Sequence, residues 1–252
     1  LKKKASIKKY SHSSLKLYKQ CPRRFYYNYI EKLPRKSWAH NILGNVVHSA
    51  LEHFHGDYSG SEQLSELMSE SFKKAYKENK NADDKIMREA KDLLAGYLDK
   101  VGLDGMPDGV MSVEKTFSLM VGKYKLIGVI DRIDKVGDKY YIWDYKTTKK
   151  VEYLDDSQLA LYSMWFFDAH KDVDNITAGY ILLRHGSSVM EYNFSRAGLA
   201  SLKDEIAETC SEIMGDSDWE KSPSGLCGWC DFIKKRGGPC DGQLSSYEWN
   251  IQ

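Results

Sequence analysis

The sequence is poor in the residues that interrupt a chain. Five prolines in 252 residues, with no Pro-rich or Gly/Ser-rich stretch, exclude a flexible linker between separate modules. No apolar run approaches the length of a membrane-spanning helix, and no signal-peptide pattern is visible. The five cysteines are an odd number, which a closed disulfide framework would not produce. A G-x-x-x-x-G-K-[ST] phosphate loop is missing, so no ATP-driven motor is expected. Net charge is small as well, at +1. What is present, 42% hydrophobic and 29% charged residues, suffices for a packed core. The expectation is a soluble, intracellular, cytoplasmic protein.

The small net charge hides a division. Residues 1–30 hold nine Lys or Arg and no Asp or Glu, which leaves the remainder at −8. Tyr10, Tyr18, Phe25, Tyr26, Tyr27 and Tyr29 are interleaved with those cations. Such a segment suits a phosphate backbone with stacked bases. It suits equally an amphipathic helix whose aromatics face a core.

The first hundred residues read as helices. Ser13-Ser14 marks a helix start, and Pro22 divides that helix from a turn through Phe25 to Ile30. Ile42, Leu43, Val46, Val47, Ala50, Leu51 and Phe54 form a helical stripe over 40–55, and charged helical patterns follow at 61–79 and 83–101. Beyond a Gly-rich loop the texture changes to strands at 112–121, 123–136 and 139–147, divided by Gly122-Lys123 and Gly137-Asp138, dipeptides suited to type II′ hairpin turns. A helix at 154–170, strands at 176–184 and 188–194, and a helix at 196–214 complete an α/β (α+β) layout, a mixed sheet with helices packed on it.

The turns carry a geometric consequence. A two-residue turn at Gly137-Asp138 sets Asp131 opposite Asp144, and one at Gly122-Lys123 sets Glu114 opposite Asp131. Directly opposed residues have Cβ atoms about 4.5–5.5 Å apart, where like charges repel. Three such carboxylates call for a hard cation, Mg²⁺ or Mn²⁺. Ile127, Val129 and Ile133 share the face of Asp131, which argues against a solvated rim of charge. Lys146, two residues after Asp144, projects from the same face about 6.6 Å along the strand, placed to orient a water and to offset charge on a phosphate. His48 lies at the edge of its helix's apolar arc beside Gly44. Gln158 and Tyr162, four apart, share a helix face.

Cys227 and Cys230 form C-x2-C, and Cys240 follows after nine residues, a pattern that suggests a metal. A fourth thiolate could come from Cys21 or Cys210. Cys210 falls in a regular amphipathic pattern that suits a buried thiol, whereas Cys21 stands at a helix break beside Pro22, and is the choice here. Zinc and an iron–sulfur cluster both accept four thiolates.

Gly44 to His48, the run Gly-Val-Ile-Asp-Arg-Ile-Asp ending at Asp134, Asp144-Tyr-Lys-Thr147 and Gln158-Leu-Ala-Leu-Tyr162 together resemble the RecB-like branch of the PD-(D/E)XK nuclease superfamily. Cys21-Pro-Arg-Arg-Phe-Tyr-Tyr with the terminal cysteine trio is similar to that branch's iron–sulfur subset, which includes CRISPR-associated RecB-like exonucleases and the AddB nuclease domain. The resemblance implies a restriction-endonuclease-like mixed sheet flanked by helices that cleaves DNA with Mg²⁺ or Mn²⁺. His48, Asp131, Asp144 and the carbonyl of Tyr145 would be metal ligands and Lys146 would position the attacking water. Gln158 and Tyr162 would serve the active site and DNA contacts, and Glu114 would match an acidic position of many relatives. Cys21, Cys227, Cys230 and Cys240 would hold a structural 4Fe–4S cluster, although the nine-residue spacing is longer than the subset's and keeps zinc or a three-ligand site open.

The chain is expected to be one nuclease domain. Its parts are N-terminal helices with the first cysteine and the histidine motif (1–56), a helical insert that caps the site or forms a DNA channel (57–110), a catalytic sheet and helix (111–195) and a C-terminal helix with the cluster loop (196–252). The expected activity is a DNA exonuclease preferring single strands or ends, in repair, recombination or phage and CRISPR processing, with protein partners from such complexes. The rival is an inactive DNA-binding or assembly module that keeps the fold and the cluster.

Overall fold

The computed structural model describes residues 7, 9–107 and 109–242. These sort into two compact units. The first draws on the described residues within 1–36, 120–127 and 201–252, and the second on those within 37–119 and 128–200.

In the first unit, Ser11 caps α1 (His12–Gln20) in a reciprocal box with Ser14, which satisfies two otherwise unpaired amides. The chain breaks where Cys21-Pro22 demands it. Cys21 is extended at φ −164, and Pro22 opens the short α2 (Pro22–Phe25), followed by a π-helical turn over Tyr26–Ile30. Tyr10, Tyr18, Phe25, Tyr26 and Tyr27 are buried. Phe25 stacks on the fully buried Trp219 at 6.0 Å, and Tyr18 and Tyr26 pack on the same indole. Of the two readings the segment allows, these aromatics take the packed one: their faces are spent on a core. Arg23 Nε donates to the Trp219 carbonyl at 2.6 Å. Of the basic segment, Lys2, Lys3, Lys4 and Lys8 lie outside the described residues. The helix expected over 196–214 begins only at Leu202 (α7, Leu202–Gly215).

The residues just before it, in the second unit, are held otherwise. Arg196 donates to the carbonyls of Phe167, His170 and Val173, and the Ser195 hydroxyl takes the Gly198 N–H. The Ser195 bond competes locally with a helix, and the Arg196 bonds tie the segment to the end of the helix Ser157–Ala169 and the loop after it.

The second unit carries α3 (Ala39–Asp57), α4 (Leu64–Glu78), α5 (Asp84–Asp104) and α6 (Ser157–Ala169). Its sheet is ordered β1 (Val110–Val121), β2 (Tyr124–Val136), β3 (Lys139–Lys146), β4 (Asn175–Leu182), β5 (Ser188–Ser195). The ends of β1 and β2 at their shared turn, 120–127, belong to the first unit. Seven α-helices occur among the described residues. β3 and β4 run parallel because α6 carries the chain back between them, while β2–β3 and β4–β5 are antiparallel, so the sheet is mixed. The apolar stripe of α3 packs with α4, α5 and the Trp143, Tyr145 and Ile181 side of the sheet. The insert is thus part of this unit's core. By strand alternation Tyr140 and Asp144 face the other way, toward Phe166 and Gln158 of α6.

Gly137, at φ +58, makes the turn that pairs Val136 with Lys139 and Arg132 with Trp143, the register the sequence predicts. The β1–β2 hairpin departs from its expected register partway along. Phe117 lies directly over Gly128, where a Cβ would come within 2.6 Å of its ring, as a two-residue turn requires. At the far end Lys135 donates to the Gly109 carbonyl, one residue out of step. Glu114, at φ +44 within the strand, absorbs the extra residue as a β-bulge.

Candidate active site

The second unit gathers the predicted polar residues where α3 crosses the end of β3. His48 donates from α3 toward the strand. Its Nε2 lies 2.9 Å from the Tyr145 carbonyl oxygen and its Nδ1 3.3 Å from Asp131 Oδ2. Asp131 Oδ2 also accepts the Tyr145 N–H at 2.7 Å, so the carboxylate stands where the β2–β3 ladder would otherwise continue. The bulge aims Glu114 at the same point. One ligand atom each from His48, Glu114 and Asp131 lie within 4.8 Å of one another, the single such trio among the described residues. These three line a cleft of about 850 Å³ with Gly44, Lys146 and Arg184. Val129, expected on a buried face with Asp131, is 39% exposed and borders that cleft.

Asp144 is 2% exposed and turns toward α6. Its Oδ1 accepts from Gln158 Nε2 at 2.8 Å, and its Oδ2 lies 2.5 Å from Lys146 Nζ. Lys146 donates to Gln158 Oε1 at 2.9 Å, and the Gln158 amide also reaches the Tyr162 hydroxyl at 2.6 Å. Gln158 therefore uses both ends of its amide to set the two β3 side chains, which is why the spacing to Tyr162 matters.

The electrostatics express crowding. Burial and then the Asp131 charge push Glu114 up to about 7, and the same two causes push Asp144 up to about 6. Burial would lower His48, but the Asp131 carboxylate outweighs it and raises the imidazole to about 9. His48 is then an imidazolium near neutral pH, offering one N–H to Asp131 and one to the Tyr145 carbonyl. Carboxylates and an imidazole held this close suit a hard divalent cation, whose binding would displace those protons.

Three contributors had no role in the sequence reading. Lys146 Nζ sits 5.0 Å from the ring centroid of Tyr180, a β4 residue paired with Asp144. That pairing follows the α6 crossover, which hairpin arithmetic does not reach. Arg132, 4% exposed, donates to the hydroxyls of Tyr97 and Tyr145 at 2.9 and 2.8 Å and binds Asp134 at 3.1 Å, clamping the residue whose peptide meets both His48 and Asp131. Arg132 stands inside the quoted motif, a signal that was present but mute. Arg184 donates to the Thr147 carbonyl and pairs with Glu89 of α5.

In the first unit, Cys21, Cys227, Cys230 and Cys240 all line one cavity, together with Arg24 and Phe232. No three of their sulfurs lie within 4.8 Å of one another. Cys210 is elsewhere, fully buried on α7 with its thiol pushed up to about 12 by burial. The nine residues after Cys230 fold back on themselves. Cys240 donates to the Phe232 carbonyl and Lys234 to that of Cys240. Gly238 is required there because a Cβ would fall 2.2 Å from the Phe232 backbone.

The sequence pattern of the PD-(D/E)XK nuclease superfamily matches residues 9–234. A search of curated proteins gives no match. Among solved structures, a "putative exonuclease" from Eubacterium rectale superposes with a TM-score of 0.57 at 12% identity, over 91% of this chain and 87% of that one. At that identity the likeness is one of fold. The structure of SSO0001 superposes at 0.42 and 17% identity over 90% and 85% of the two chains, too weakly to carry an argument. No helix among the described residues is long and apolar enough to cross a membrane.

Proposed function

The chain belongs to the PD-(D/E)XK nuclease superfamily, and from that premise we propose that it is a divalent-metal-dependent deoxyribonuclease of the RecB-like branch, acting on DNA ends or single strands. The observation that carries this reading is the convergence of His48, Glu114 and Asp131 within 4.8 Å, beside Asp144 and Lys146 in ion-pair contact. His48, Asp131, Asp144 and the Tyr145 carbonyl would hold Mg²⁺ or Mn²⁺, with Glu114 at the edge of the site. Bound there, the cation would lower the pKa of a water and offset charge on the phosphate. Lys146, steadied by Gln158 and Tyr180, would orient that water, and Tyr162 would keep the Gln158 amide aimed at Asp144. Residues 57–110 and 111–195 would then serve one catalytic domain, with DNA processing in repair, recombination or phage and CRISPR pathways as its setting.

The four cysteines belong to the proposal as ligands of a structural 4Fe–4S cluster. Four thiols on one cavity fit a metal–sulfur group. Zinc, which also accepts four thiolates, is the alternative occupant.

The test is a time course on 5′- and 3′-labelled single- and double-stranded oligonucleotides with Mg²⁺ or Mn²⁺. Asp144→Ala is expected to abolish the cleavage that the wild type shows. Intact DNA with the wild-type protein, or an Asp144→Ala variant that cuts as well as wild type, refutes it. An inert protein that still shifts DNA with steep salt dependence would support the rival binding module.

A further inference from the structure

The segment between β3 and α6, residues 147–156, leaves the cleft beside Lys146 and returns to α6 just before Gln158. It is pinned at both ends. Arg184 Nε donates to the Thr147 carbonyl at 2.6 Å, and the Tyr180 hydroxyl donates to the Asp155 carbonyl at 2.8 Å. Between these anchors the Thr148 hydroxyl bonds to both the N–H and the carbonyl of Lys150 at 3.2 Å, and Val151–Tyr153 form a single 3₁₀ turn closed by Leu154 N–H on the Val151 carbonyl. This loop is held in shape by its own bonds. Even so, it presents Tyr153 with 69% of its surface exposed, a position no packing requirement explains. Lys149 and Lys150 are exposed beside it. Lys149 lines the cleft of His48, Glu114 and Asp131, and the Lys150 ammonium lies 5.4 Å from the Tyr153 ring centroid.

We propose that the 147–156 loop is a docking platform for an unpaired nucleotide of the DNA substrate, with the Tyr153 ring stacking on the base and Lys149 and Lys150 holding the phosphates that lead into the cleft. The inference rests on the nuclease reading and adds to it the residues that would hold an unpaired nucleotide. An exposed aromatic face accepts any base, because every base has a π-face, and the flanking ammonium groups complement the backbone. In a duplex the base faces are already stacked on their neighbours, so the platform favours single-stranded ends. A loop fixed before binding loses little entropy when the base arrives.

Initial rates on a labelled oligo-dT and on a blunt duplex of equal length test this, using the full chain with Tyr153→Ala and Tyr153→Phe. Because Tyr153 is on the surface, neither change threatens folding. Tyr153→Ala is expected to raise KM for oligo-dT about 5- to 150-fold with kcat within twofold, Tyr153→Phe to restore it, and the duplex KM to stay put. Oligo-dT carrying abasic sites should reproduce the loss in the wild type and add nothing in Tyr153→Ala. A KM for Tyr153→Ala within twofold of an active wild type, or equal losses on duplex and single strand, overturns the proposal. A wild type that cuts no DNA refutes the nuclease reading instead. Fluorescence anisotropy of the same oligo-dT in EDTA then still tests the platform, since unchanged binding by Tyr153→Ala overturns it.

Discussion

Lys146 shows how much a single side chain depends on its supports. Its ammonium is bracketed by Asp144, the Gln158 amide and the Tyr180 ring, so its position at the cleft is set before substrate arrives. Lys146→Ala should lower kcat about 10²- to 10³-fold, the scale of losing one preorganised donor. Gln158→Leu should cost about 10- to 100-fold, as a residue acting through its neighbours does. Single-turnover rates at saturating Mn²⁺ separate the two from binding effects. The titrating groups make a second prediction. Glu114 and Asp144 keep their protons to about 7 and about 6 in the folded chain, above the ordinary carboxylate range. The stability of the metal-free protein therefore falls as pH rises through those values. His48, raised to about 9, stabilises fully below its ordinary pKa and loses that contribution as pH rises through 9. All three act in the same direction, so urea denaturation in EDTA should show steady destabilisation from pH 5 to 9. Mn²⁺ should flatten the slope, because the cation replaces the protons. A flat EDTA profile would contradict the crowding.

At the scale of elements, the informative feature is the bulge in β1. Opposed strands alone would set Glu114 against Asp131, but the ladder slips by one residue between Phe117 and Gly109, and Glu114 takes a left-handed conformation to absorb it. A non-glycine residue in that region costs about 1–2 kcal/mol. Glu114→Gly should therefore raise the unfolding temperature of the metal-free protein, by relieving both backbone strain and repulsion, while weakening Mn²⁺ binding. Calorimetry of unfolding and of metal titration, run on the same preparation, reads both changes. A variant that loses stability would mean that the bulge is not strained. The helical insert offers a contrast. Its charged outer faces are plain in the sequence, but its engagement with α3 and with Trp143 and Tyr145 depends on which sheet face it meets.

For the molecule as a whole, the fold brings four cysteines from distant parts of the sequence to one cavity. Cys21 and the 227–240 trio share a cavity of the first unit, while Cys210 is sealed within α7. Protein purified without oxygen should carry iron and absorb broadly in the visible. Cys21→Ser should lose most of that iron and Cys210→Ser none, with metal analysis as the readout. Iron-free protein in which zinc is retained by the same cysteines would redirect the assignment.

Much of the candidate site's geometry was legible because local rules suffice for it. Glycine-first turns set hairpin registers, a period of two places Lys146 with Asp144, and a spacing of four places Tyr162 with Gln158. The N-terminal aromatics were ambiguous for the converse reason. Basic and aromatic residues at the same spacing serve a base-binding face or a buried one, and only the presence of Trp219, nearly two hundred residues later, decided for burial. The extra residue at Glu114, the Tyr180 floor beneath Lys146 and the Arg132 clamp on Tyr145 were likewise settled in three dimensions. Sequence by itself determined the superfamily and which residues lie opposite across a tight turn, since those depend on residue type and short-range geometry. The tertiary structure decided which faces are spent on packing and which remain for substrate, since burial is a property of partners brought from far along the chain.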